Sequence, residues 1–351
     1  MKKMMLKMKL MDISERFIIY ITEQSFLISL TSLIALYFKI KAVFLGFFIA
    51  YKIDFIKGFL HIFDTYSSLY NLIILFILSF CYYSIESLTN HGIAEDIFKM
   101  KIISKYNLKR KNMIIILIVR DLIRSFFVSF IINSLFVIKY HKLMQSCYDY
   151  KNNLVSIINK DESRKSLFLK YVYSSMIIYY SIFFILLIIY TFIDPSSPLA
   201  SSNVKSKDAF HYWIFFKTIL NNNLTLDILE YMIGGFSLFI GTFIELFSSN
   251  IYETIIMSSL DSSHGLSSFV KFILPQFFPE TMGYVFGIAI AMVITDIILS
   301  FIQSMIRNEK SEYFYKKVHN LSYNAGFYLI FSISLLIIGA LIESSLGIYN
   351  F

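Results

Sequence analysis

Leu274-Pro275-Gln276-Phe277-Phe278-Pro279-Glu280-Thr281 interrupts a chain that is otherwise apolar through most of its C-terminal half. Two prolines and an acid stand between the apolar runs 251–274 and 282–301. Proline lacks the amide proton that a helix interior needs, so the pattern predicts a break in the helix. Backbone that leaves the helix at membrane depth survives only where protein or a water-filled cavity covers its amides. The break is therefore a candidate site if the chain lies in a membrane, and composition decides that.

Hydrophobic residues make up 57% of the 351, mean hydropathy is +0.64 and 16% are charged. Soluble domains hold about 45–50% apolar and about 25% charged residues. The class is an all-α, polytopic membrane protein whose first partner is the lipid bilayer. A crossing needs about 20 mainly apolar residues. Runs of that kind at 17–38, 67–83, 113–138, 171–193, 228–247, 251–274, 282–301 and 327–341 predict seven or eight spans. Residues 42–63 are apolar too, but Lys52, Asp54 and Lys57 recur in them, which marks an interfacial or partly inserted stretch. The basic residues 1–9 lead through Asp12 and Glu15 into a long apolar run without a cleavage pattern, so the first span should be retained.

The net charge of +8 comes from basic residues in short loops between apolar runs. The positive-inside rule and anionic headgroups explain them better than nucleic acid does. The N-terminus (Lys2, Lys3, Lys7, Lys9), the loop with Lys99 to Lys111, the stretch 139–170 and the loop with Arg307, Lys310, Lys316 and Lys317 all read as cytoplasmic, and Asp194-Pro195-Ser196-Ser197-Pro198 as external. Cytoplasmic loops on both sides of 113–138 conflict with a single crossing there, so one assignment must fail. Within that segment Arg120, Asp121 and Arg124 would each cost at least about 2.5–3.5 kcal/mol at mid-membrane, which points to a kinked or partly inserted helix. Residues 84–112 should hold a short amphipathic helix, with Ile93, Phe98 and Ile102 or Ile103 on one face and Glu95, Asp96 and Lys99 elsewhere, suited to docking a partner. Alternating charges at Lys160, Asp161, Glu162, Arg164 and Lys165 read as a solvated helical linker. They place a boundary near Lys165, between an N-terminal membrane region (1–165) and a C-terminal membrane domain (166–351).

In the C-terminal part, Asn221-Asn222-Asn223-Leu224 precedes a run carrying Gly234, Gly235 and Gly241-Thr242 and ending at Glu245 and Asn250. Gly283, Gly287 and Ala291 recur every four residues and form one stripe on a helix face. Small residues let backbones approach closely in lipid, so helix packing is the plain reading of both sets and ligand contact the sharper one. Pro279 suits the first helical position, with Glu280 in the first turn against the positive end of the dipole. Glu280 then has two readings. It is a helix start, or it is a proton, ion or partner site built with Pro275, Pro279, Gln276, Asn222 and Asn223, since acids inside membranes are functional by default. Glu230, Glu245, Asp296 and Glu343 lie close enough to span ends to reach headgroups.

The order Asn-Asn-Leu, glycine-bearing run, Asn250, Leu-Pro-x-x-x-x-Glu and Gly339-Ala340-Leu341-Ile342-Glu343 resembles the stage II sporulation protein M family of integral membrane proteins. The resemblance runs from the 171–193 span to the end of the chain. The family signature is Leu-Pro-His-Gly-x-x-Glu. Leu274, Pro275 and Glu280 match it, whereas Gln276 replaces the His and Phe277 the Gly, so any proton transfer at the His position is lost. The resemblance implies a membrane part of a peptidoglycan-remodelling complex, although relatives occur in organisms that do not sporulate. It implies a fold more than a task. The N-terminal half looks faintly like ABC-type exporter permeases, whose cytoplasmic helix couples to an ATPase; the comparable stretch is 86–103.

Metalloprotease, hydrolase-elbow, Walker A and dinucleotide-binding patterns are all missing. The six histidines are scattered, and Cys81 and Cys147 lie in different segments. No catalytic residue, metal or cofactor is expected. Two functions compete: a transport subunit lined near Glu280 and driven by a separate ATP-binding subunit, and a scaffold gathering envelope-remodelling enzymes or other membrane proteins. Further copies of the chain itself are a third class of partner.

Overall fold

The computed structural model describes residues 8–10, 13–37, 66–89, 91–98, 100–104, 110–125, 154–159, 164–193, 209–225, 227, 231, 233–237, 241–242, 246, 274–307 and 312–350. Helices dominate: α1 (Ile13–Tyr37), α2 (Tyr66–Thr89), α3 (Ile93–Phe98), α4 (Arg110–Arg124), α5 (Arg164–Ile193), α6 (Ala209–Leu224), α7 (Ile233–Phe236), α8 (Leu274–Arg307) and α9 (Glu312–Asn350). Among the described residues two stretches, Pro275–Met305 and Phe314–Ser345, are long and apolar enough to cross a membrane. Residues 251–273 of one expected span, the interfacial stretch 42–63, the Asp194 to Pro198 loop, Glu230, Glu245 and Asn250 lie outside the described residues, and the described part of the expected span 228–247 corrects it, because the chain turns at Ser237 and the Thr242 hydroxyl reaches back to the Tyr231 carbonyl. Contacts divide the chain into two units. Met1–Ile178 with Asp296–Val318 form the first, and Tyr179–Thr295 with His319–Phe351 the second.

In the first unit α2 packs on α1 and α4, and α3 lies against α1. Leu27, Leu75 and Tyr83 form an apolar cluster there, flanked by Ile28 and Tyr82. Beside it the charges of 113–138 find their partners. Arg124 reaches Glu23 at 2.7 Å and Glu86 at 3.1 Å, with its guanidinium 3.9 Å over the Tyr83 ring. Arg120 pairs with Asp121 at 3.2 Å. Ile115, Ile118, Val119 and Leu122 of the same helix are exposed, so α4 carries its charges inward and its apolar side chains outward.

Glu86 serves a second purpose, because its Oε1 accepts the Ala94 amide at 3.1 Å while the Tyr82 hydroxyl accepts the Ile93 amide at 2.8 Å. These are two of the first-turn donors that a helix cannot satisfy by itself. A Cβ at Gly92 would fall 2.5 Å from Glu86 Oε1, so this approach needs glycine. The short helix expected within 84–112 is α3, and the correction is that Ile102 and Ile103, expected on its face, lie on a strand instead. The strand arises because Lys101–Ser104 (β2) pairs with Leu154–Asn159 (β3), which also pairs with Met8–Leu10 (β1) in a three-stranded antiparallel sheet of order β1-β3-β2. The helical linker expected over 139–170 is corrected in part, since 154–159 is the central strand.

The sheet decides the conflict in loop charges. Paired strands lie about 4.8 Å apart, whereas the hydrocarbon layer is about 30 Å thick. Residues 8–10, 101–104 and 154–159 therefore share one side of any membrane.

A second polar cluster closes the first unit. Asp296 pairs with Lys317 at 2.8 Å and also accepts from Tyr171 and Ser300, while Lys317 donates to Ser14 and Ser300 at 3.1 and 2.9 Å. Asp296 is 1% exposed, so the headgroup reading of this acid is corrected, as is the loop reading of the buried Lys317.

Helix α8 starts at Leu274 and runs through both prolines to Arg307. Pro275 falls in the first turn, where the missing amide proton has no partner to lose. Pro279 removes one bond within the helix, to the Pro275 carbonyl. The break expected at 274–281 is therefore absent, and Glu280 sits in the second turn rather than at the helix start.

Replacing Arg124 by Met would leave Glu23 and Glu86 buried without a counter-charge. The expected loss is about 3–5 kcal/mol, read as a lower unfolding midpoint of the detergent-solubilised protein. Adding Glu23→Gln should recover part of it; an Arg124→Met protein as stable as the parent would refute the pairing.

Candidate functional site

The second unit gathers its acids around the first half of α8 and the last half of α9. Asn223, in the last turn of α6, donates its side-chain amide to Glu280 at 3.0 Å. Glu280 also faces the Glu343 carboxyl group of α9. Two carboxyl groups can share a hydrogen bond only when one of them carries a proton. Glycine makes the approach possible: a Cβ at Gly339 would overlap the Glu280 side chain. The two motif pieces 274–280 and 339–343, far apart in sequence, thus meet at one carboxyl pair.

About two turns along α8 a second acid enters. Asp227 is 0% exposed, accepts from the Ser332 hydroxyl of α9 and lies against Gly287, whose missing Cβ would overlap its Oδ1. Tyr231 and Tyr284 pack edge to face beside this slot, and Tyr179 lies 6.4 Å from Tyr284. Phe183 stacks on Tyr179 and meets Phe277, so aromatic rings wall the first two turns of α8.

The discontinuity of the second unit lies between α6 and α8. Thr225, Asp227 and Tyr231 are wound in wide π-type turns, and α7 closes after four residues in a turn where the Ser237 amide donates to Gly234. Hydroxyls satisfy the carbonyls that this leaves over. Thr242 donates to Tyr231 at 2.9 Å, Ser237 to Gly234 at 2.6 Å and Thr295 to Gly235 at 3.0 Å.

Of the residues expected at the site, Asn223 and Glu280 come together. Asn222 is exposed, Pro275 is exposed, Gln276 is half-buried and Pro279 is buried within the helix. The glycines expected to pack do so with different partners. Gly283 faces Leu336 of α9, Gly287 faces Asp227 and Tyr231, Gly235 faces the Ala291 backbone, Gly234 faces Thr242, and Gly241 faces Ser237 and Gly234. The docking residues divide. Phe98 is 4% exposed, lies under Lys170 and is corrected from a partner contact to a core residue. Ile93 is half-buried, while Asp96 is exposed and pairs with His91 at 3.4 Å. The Glu95 side chain lies outside the described residues. Sequence reasoning missed Asp227 and Ser332. The available signal was the spacing of Asp227 four residues after Asn223, which puts both on one helix face. Among the described residues no three of His, Cys, Asp and Glu converge as a metal centre requires.

The glycines separate two kinds of contact. At Gly235 a Cβ would lie 2.8 Å from the Ala291 carbonyl oxygen and 2.9 Å from its Cα, so Gly235→Ala must push two backbones apart and should cost about 1–3 kcal/mol. Gly339→Ala meets only the flexible Glu280 side chain and should disturb the Asn223 contact while the protein stays folded. The Gly283→Leu, Gly287→Leu pair should block folding. Yield and monodispersity in detergent check all three, and normal folding of the double variant would refute the packing.

Comparison of the chain with protein-family models, with curated proteins and with solved structures gives no match in any of the three, so the functional reading stands on the residues of the site.

Proposed function

We propose that the chain is a multi-pass protein of the cell membrane, working as the non-catalytic, permease-like subunit of a complex with a separate ATP-binding partner. Five crossings satisfy the sheet and the loop charges together: 17–38, 67–83, 171–193, 282–301 and 327–341, with 113–138 left out as a single crossing, 228–247 left out because the Thr242 hydroxyl reaches back to the Tyr231 carbonyl, and 251–274 left out by the loop charges that follow. They put 194–208 outside and the Arg307 to Lys317 loop inside. Lipid as solvent accounts for the inversion on α4 and α9, where Arg120, Asp121, Asn324 and Ser332 are buried while Ile118, Leu122, Ile330 and Ile338 are exposed.

The observation that carries the transport reading is the Asn223–Glu280–Glu343 set. An acid at a helix start needs neither a second acid nor an amide reaching it from another helix. A carboxyl pair sharing a proton among apolar helices has the chemistry of a proton or ion relay. Scaffolding is the weaker reading because Gly234, Gly235, Gly283 and Gly287 are consumed inside the second unit instead of offering a small-residue face to other proteins. Likeness to the stage II sporulation protein M family is supported by the meeting of its two motif pieces at Glu280.

Two measurements test this. The tagged protein, purified from its own membrane in mild detergent, should bring down a stoichiometric ATP-binding subunit; recovery of envelope enzymes alone would favour the scaffold. Glu280→Gln should abolish the activity of the complex and leave its assembly intact, and unchanged activity would reduce Glu280 to a structural residue.

A further inference from the structure

Asp227 differs from the other buried acids. Glu23, Glu86, Asp121 and Asp296 each face an Arg or Lys, and Glu280 faces Glu343. Asp227 faces no charged group among the described residues. Its Oδ2 takes the Ser332 hydroxyl, and its fully buried Oδ1 has no hydrogen-bond partner among the described residues and rests against Gly287. In the second unit the titratable side chains described on the elements around it are Tyr231 on its own segment, Glu280 and Tyr284 on α8, and His319, Tyr323, Tyr328 and Glu343 on α9. The two acids are distant, since Glu280 lies seven residues before Gly287, about 10 Å along the helix.

A carboxylate held by one neutral hydroxyl in apolar surroundings is far from the solvation that its charge requires, and it relieves this by taking up a proton. The bare Oδ1 is the atom that receives it. The backbone here is wound in π-type turns, a distortion that recurs at functional sites. Nothing in the packing requires an acid at this position: Asn has the same shape and would fill the slot.

We propose that Asp227 is a reversible proton-binding site, neutral at rest, whose affinity is set by Ser332 and by the room at Gly287. The proton comes from water and returns to it, and no other bond changes. The proposal deepens the transport reading, on which its role in coupling rests, by naming the proton as the ion.

The test is a pH titration of the full-length protein in lipid nanodiscs, followed in the infrared region where protonated carboxylic acids absorb. Subtracting the Asp227→Asn spectrum should leave an acid band that is present at neutral pH and disappears at alkaline pH. Because Ser332 donates to the ionised form, Ser332→Ala should tighten proton binding about tenfold and raise the midpoint of that band by about one pH unit. Absence of the band at neutral pH overturns the proposal, and so does a midpoint that moves when sodium or potassium is added at fixed pH, which would make the site one for a metal cation. Should Asp227→Asn fail to fold, the shift of the wild-type band by Ser332→Ala decides, and an unmoved band overturns the proposal. The band is read on the isolated protein, so failure to recover an ATP-binding subunit would refute the transport reading without touching this result.

Discussion

A charge that this chain takes away from water has to find a counter-charge within the protein or take up a proton. Arg124 shows how strongly that requirement shapes the fold. A lone charge at mid-membrane costs at least about 2.5–3.5 kcal/mol, and Arg124 meets two acids from two other helices with Tyr83 beneath it. The arginine thus fixes α4 against α1 and α2 more specifically than aliphatic packing could. Asp296 and Lys317 do the same at the other polar cluster, joining α8, α9, α5 and the start of α1. Apolar surface drives none of this choice, because in lipid it is satisfied on any outer face.

Glycine is the companion of three of the acids. Gly92 admits Glu86, Gly287 admits Asp227 and Gly339 admits Glu280. A stripe of small residues usually lets two backbones approach, and Gly235 against Ala291 is a case of that kind. The other three glycines make room for a carboxyl group. Hydroxyls do similar work around α7, where Thr242, Ser237 and Thr295 donate to the Tyr231, Gly234 and Gly235 carbonyls.

The membrane character was legible because it depends only on composition, and the long helices because apolar length depends only on the local run. Glu280 and Asn223 were legible as polar residues beside an apolar stretch. The position of the break was not, since two prolines in the first two turns of a helix look the same in sequence as prolines that end one. The three strands were invisible because they are three to six residues long and pair across the chain. Lys317 read as a loop charge, and only its contact with Asp296 makes it a core residue. Asp227 stood at the edge of an apolar run, where an acid ordinarily reaches water. What identifies it is Gly287, sixty residues later.

The first unit is discontinuous, and this has a consequence for how the protein is made. Strand β1 waits for β3, about 150 residues behind it, and Ser14 waits for Lys317, about 300 residues behind. A ribosome that has delivered the whole N-terminal half has therefore not delivered a finished unit. Met8–Leu10 is an unpaired strand until residue 159 has been made, and Ser14 lacks its final partner until Lys317 has been made. The last two long helices are needed before the first unit can close, so synthesis, insertion and folding of the two units overlap in time.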